Sequence, residues 1–209
     1  MKANSLTSLV FKELTGREIL PDQEAFLDKV AIIVADFKYD LLEPPSSASI
    51  ALSVACKKNL YQSLSNSMGL WGDNHFVFSD VVRQWRTGDY PEFIAGIGHP
   101  KFKGCDPRVT EIEQLVDEYN LILPSLGSFK EFAERKGLPV NLAGCLGLIL
   151  FDMGFTEDNV DFFPMTWRLL GLTKLYGFLN DEIKLGSGID CIKEAYRKVY
   201  PNRHENTRA

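Results

Sequence analysis

The chain has three histidines, His75, His99 and His204, and one of them sits in a setting suited to chemistry. His99 lies in Gly96-Ile97-Gly98-His99-Pro100, where two glycines permit a tight backbone and the close approach of a ligand. Imidazole is also the side chain whose charge changes near neutral pH. Seven positions further on, Asp106-Pro107-Arg108 reads as a helix start, with Asp as the N-cap and Pro at the first helical position. An arginine in that first turn, beside the positive end of the helix, is a candidate carboxylate clamp.

The elements that must hold these residues are helical wherever periodicity can be read. Ile50, Val54, Tyr61, Leu64 and Met68 have offsets of 4, 11, 14 and 18, which predicts one face of a five-turn helix beginning after Pro44-Pro45-Ser46-Ser47. Similar spacing occurs in Leu6, Leu9, Val10 and Leu14, in Phe26, Val30, Ile33 and Phe37, in Val109, Ile112, Val116 and Tyr119, and in Ile189, Ile192, Tyr196 and Val199. Further helices are expected over Phe76–Trp85, Ser128–Arg135, Val140–Met153 and Asp158–Asn180. No run alternates as a half-buried strand would, so the fold class is all-α.

Composition sets the outer bounds. The 209 residues amount to roughly 1.4 times a typical domain of about 150, one large domain or two small ones. With 45% hydrophobic and 24% charged residues the chain is an ordinary globular one. A net charge of −5 lacks the basic excess that phosphate-backbone binding draws on, so nucleic acid is not an expected partner. Cys56, Cys105, Cys145 and Cys191 are 49, 40 and 46 positions apart, too far for a zinc or redox motif, which suits free thiols in a reducing compartment and no metal. The most apolar run, Leu142–Phe151, is about half a bilayer span, so no membrane partner and a cytoplasmic protein are expected.

The segment GIGHPKFKGCDPR resembles the signature of the citrate synthase superfamily, Gly-[Phe/Tyr/Ile]-Gly-His followed, after six intervening residues, by Asp-Pro-Arg. With Pro after His and Gly before the DPR, it is most similar to the short members related to citryl-CoA lyase. Other segments follow the family's order. The stretch ending in LTGR resembles an early helix, and NLYQSLSNSMGLWG from Asn59 to Gly72 resembles the helix that leads into a GPLHGG-type turn. Asn141-Leu142-Ala143-Gly144 resembles the NVDG or NVDF motif, and Trp167-Arg168-Leu169-Leu170-Gly171 the arginine motif after it. The resemblance spans residues 6 to 185.

It implies a larger and a smaller helical domain around a cleft, with 1–75 and 171–209 forming the larger and 76–170 the smaller. It also implies proton abstraction beside a CoA thioester and making or breaking of a carbon–carbon bond. His99 would polarise an oxo-acid carbonyl, Gly98 would line the substrate, and Arg108 and Arg168 would bind carboxylates. Lys101 and Lys103 are candidate phosphate contacts for a CoA ester, which would be a substrate, with no tightly bound cofactor.

Three family positions are substituted. Trp71 stands where the turn has its enolate-stabilising His, and Phe37 where an Asp-His pair has its His. The family's Asn precedes the motif Arg by about 27 residues, as Asn141 precedes Arg168, so Ala143 stands where the family has its Asp base. A second NVDF, Asn159 to Phe162, is only 9 residues before Arg168, and Asp161 is read as a solvent-facing residue at a helix start. The tail Tyr200–Ala209 has no match to the family's terminal arginine segment. Two readings follow. One is a lyase or acyltransferase with altered chemistry in which Asp73 or His75 supplies the acid–base group, standard citrate synthase activity not being expected. The other is a non-catalytic partner subunit or ligand sensor, and the assembly is expected to be a homodimer or a hetero-oligomer with a related subunit.

Overall fold

A computed structural model describes residues 5–36, 45–69, 77–91, 94–99 and 104–183, without the side chains of 45–48 and 182–183. Among these residues there are nine helices: α1 (Leu6–Thr15), α2 (Pro21–Ala35), α3 (Pro45–Ala55), α4 (Leu60–Met68), α5 (Phe78–Thr87), α6 (Pro107–Glu118), α7 (Pro124–Arg135), α8 (Leu142–Asp152) and α9 (Phe162–Ile183). The described residues contain no strand beyond one isolated antiparallel bridge between Ile97 and Val140. The all-α expectation holds.

The chain divides into two compact units, Met1–Val34 with Asp73–Trp167, and Ala35–Gly72 with Arg168–Ala209. The first is organised around α8. Every residue from Gly144 to Leu150 is buried, so this helix is apolar all round rather than along one stripe. Helices α5, α6 and α7 pack on it. Phe11, Phe26, Val30, Val81, Val109, Ile112 and Phe129 complete the same core from the other helices.

Several helix ends in this unit are closed by groups from distant parts of the chain. Helix α7 begins at Pro124, four residues ahead of the expected Ser128, because the Asp152 carboxylate accepts from the amides of Ser125 at 3.0 Å and Leu126 at 3.2 Å. The carbonyl of Leu14, near the end of α1, accepts from Asn159 Nδ2 at 2.8 Å. Arg17 Nη2 donates to the carbonyl of Met153 just past α8.

The second unit is built on α3, α4 and the later turns of α9. Ile50, Ala51 and Val54 share a small core with Leu172, Leu175 and Leu179. The single five-turn helix expected over Ile50–Met68 is in fact two. Lys57 takes a left-handed φ of 55°, and Asn59 then opens α4 with a capping box to Gln62. Tyr61, expected on the buried face, is 83% exposed because the break resets the helical phase.

Candidate functional site

The GIGH segment is held as a tight corner against the start of α8. Gly96 and Gly98 have φ of +91° and +70°, a region that L side chains rarely adopt. The Gly98 amide donates to the Pro139 carbonyl at 2.7 Å, and the Asn141 amide donates to the Gly96 carbonyl at 2.9 Å. Backbones meet directly here. A Cβ on Gly96 would lie 2.8 Å from Gly144 Cα, and one on Gly144 would overlap the Gly96 carbonyl oxygen. From the other side, Gln84 of α5, itself buried, accepts the Ala95 amide at 3.0 Å. His99 follows this pinned corner and is half-buried.

Asn141 contributes its side chain as well as its amide. Its Oδ1 accepts from the Gly144 amide at 3.1 Å, capping α8, while its Nδ2 donates to the Gly98 carbonyl at 2.8 Å. Ala143 is thereby fixed as the second residue of α8, half-buried in the turn next to this corner. A methyl group there has no proton to exchange.

Arg108 sits at the start of α6, as expected, with Asp106 as N-cap and Pro107 at the first helical position. Its guanidinium is paired. Nε donates to Asp106 Oδ1 at 3.1 Å and Nη2 to Oδ2 at 2.7 Å, and the same Oδ1 accepts the Arg108 amide at 3.0 Å. Arg108 is only 6% exposed and Asp106 1%, so the pair is a buried, bidentate one. A cation at the positive end of a helix is tolerated because the capping carboxylate lies against it. The pair fixes the direction of the guanidinium fork. Sequence reasoning saw the cap and the arginine separately. The Asp-x-Arg spacing at a helix start was the available signal that one carboxylate serves both.

The first unit thus brings Gly98, His99 and the Ala143 turn together through Asn141 and Gly144. Helix α6, which carries Arg108, also packs on α8. Arg168 is buried in α9 and belongs to the second unit. Trp71, Asp73 and His75 lie outside the described residues, as do Phe37, Lys101, Lys103, Cys191, His204 and the tail. Among the described residues no group of three or more His, Cys, Asp or Glu side chains could hold a metal ion.

Asp161 is not the solvent-facing residue expected from sequence. It is half-buried and accepts the Ser79 amide at 3.2 Å, at the start of α5, where the N-cap Val77 offers no side-chain hydrogen bond. Burial pushes its carboxyl above the usual aspartate range, and the hydrogen bonds from Ser79 pull partly the other way. It is a structural cap.

No protein-family profile matches the sequence, and no curated protein matches it. The fold is that of citrate synthase-like helical proteins. Citryl-CoA lyase from Hydrogenobacter thermophilus superposes with a TM-score of 0.68 at 16% identity, covering 85% of this chain and 77% of that one. Methanosaeta concilii ATP citrate lyase in complex with (3S)-citryl-CoA gives 0.68 at 22% identity, over 88% of this chain and 35% of that one. Citrate synthase from Thermoplasma acidophilum, in a ternary complex with carboxymethyl coenzyme A and oxaloacetate, gives 0.62 at 14% identity, over 90% and 55%. The chain therefore spans about a third of the ATP citrate lyase chain and about half of the citrate synthase.

Proposed function

We propose that this protein binds an oxo acid or an acyl-CoA ester beside His99 and Arg108, with carbon–carbon lyase or transferase chemistry altered by the absence of an acidic side chain at Ala143. The observation that carries the reading is the corner itself. Two left-handed glycines and a bridging asparagine fix the segment that ends in His99, and a buried Asp–Arg pair opens α6, on a citrate synthase-like scaffold. The structural neighbours that carry citryl-CoA, or citrate and coenzyme A, support the ligand class. In this reading His99 polarises the ligand carbonyl and Arg108, oriented by Asp106, holds a carboxylate.

Calorimetric titration with oxaloacetate and with acetyl-CoA tests binding, and micromolar to millimolar affinity for one of them is expected. Silence with both removes the reading. Exchange of the thioester α-proton in deuterated buffer tests the chemistry, with no measurable exchange expected from the natural sequence. Ala143→Asp adds a carboxylate where a helix N-terminus favours one, so it is expected to fold normally and to gain exchange. A folded Ala143→Asp protein with no exchange would count against the altered-enzyme reading, through either the assignment of position 143 or the missing His at Trp71.

A second reading, a non-catalytic partner subunit or ligand sensor, is motivated by Ala143, Trp71 and Phe37 together, since three losses are harder to compensate than one. It predicts binding without turnover even after the substitution. Native mass spectrometry of the protein recovered from its source then shows a second, related subunit, whereas the first reading is met by a homo-oligomer.

A further inference from the structure

We propose that Asn141 is a positioning residue for His99, setting the orientation of the Gly98–His99 peptide from the cap of α8. Many side chains make good N-caps, and Ser, Thr, Asp and Asn rank close together when the only task is to accept an amide. Here the cap has a second task. Nδ2 of Asn141 donates to the Gly98 carbonyl at 2.8 Å while Oδ1 accepts from Gly144 at 3.1 Å. Only a side chain with a donor and an acceptor on one planar group does both, and the site also fixes which way the amide points. Turned over, it would set oxygen against oxygen and N–H against N–H.

Geometry makes this bond consequential. Gly98 is left-handed at +70°, and its own amide is already committed to Pro139 at 2.7 Å. The carbonyl that Asn141 holds is that of the peptide linking Gly98 to His99, so turning it about the Gly98 Cα–C bond would carry the Cα of His99 with it. Nearby, the contact of Gly96 with Gly144 prevents α8 from shifting to follow. The inference deepens the ligand reading above and rests on it for its effect on binding, but the positioning of His99 can be read without any ligand.

The experiment compares the parent with Asn141→Asp and Asn141→Ser. Asp keeps the cap but sets a carboxylate oxygen against the Gly98 carbonyl, whereas Ser keeps the cap and is too short to reach it. The ring signals of His99, identified by their loss in His99→Gln, are followed by NMR through a pH titration, with circular dichroism as the check on folding. Expected are native helicity in at least one variant, displaced His99 ring signals with a changed titration midpoint, and about a tenfold loss of oxaloacetate affinity. His99 signals and midpoint unchanged in a folded variant would overturn the proposal. Should Asn141→Asp fail to fold, the Ser variant decides alone, and collapse of both would make Asn141 a structural cap and overturn it equally. Displaced His99 signals without oxaloacetate binding by the parent would support the positioning and remove the oxo-acid reading.

Discussion

Asp161 shows how a side chain can imitate a catalytic motif and serve a helix instead. Its folded-state carboxyl titrates above the ordinary value of 3.8, chiefly through burial. The ionised form is therefore disfavoured by folding: stability from this group is full below the unfolded pKa and is lost as pH rises through the raised one. Asp161→Asn keeps an acceptor for the Ser79 amide and removes the charge. It should melt above the parent at pH 7, with the difference vanishing as pH falls below 3.8. Asp161→Ala loses the cap and should cost about 1 kcal/mol in a denaturant titration. A lower melting temperature for the Asn variant at pH 7 would mean that hydrogen bonds to the ionised form outweigh burial. The Asn-to-Arg spacing that the citrate synthase resemblance implies is what set this NVDF aside in favour of Ala143. Nothing local could have revealed the real partner, because Ser79 is 82 positions away.

At the scale of elements, the contact between the GIGH corner and α8 makes neighbouring positions respond in opposite ways. Gly144→Ala would drive a methyl into the Gly96 carbonyl and should cost about 1–3 kcal/mol or more of stability. Gly127→Ala, in an open position on α7, should stabilise by about 0.5–1 kcal/mol through the unfolded chain. Chemical denaturation of the two variants checks the pair, and equal effects would contradict the close backbone contact. The cap at Asp106 and the glycine corner were legible from residue type and spacing, but the anchor at Asn141 was not, because a helix expected over Val140–Met153 places that residue inside it. The break at Lys57 was not, because the offsets from Ile50 to Met68 also fit one continuous helix. Only the left-handed residue and the capping box of Asn59 show where the phase is reset. The start of α7 was missed for the same reason as Asp161's role: its cap, Asp152, comes from another helix.

For the molecule as a whole, thiol accessibility offers a test of the first unit's core. Cys145 is buried in α8, and burial pushes its thiol well up from the ordinary range, so it should resist alkylation until the protein unfolds. Cys56 and Cys105 are exposed and should be modified in the native state. Mass spectrometry of iodoacetamide-treated protein reads the difference, and native-state labelling of Cys145 would argue against an intact core around α8.

The two compact units are each discontinuous in sequence, and this has a consequence for how the protein is made. Ile50, Ala51 and Val54 leave the ribosome early, but Leu172, Leu175 and Leu179, against which they pack, are encoded more than 100 residues later. At roughly 5–20 residues per second, that delay is about 5–20 s. For that interval the Ile50–Val54 face of α3 has α4 beside it but lacks the α9 residues that complete its cover. Nascent chains paused before residue 172 should therefore be more aggregation-prone, and more dependent on chaperones, than the finished protein.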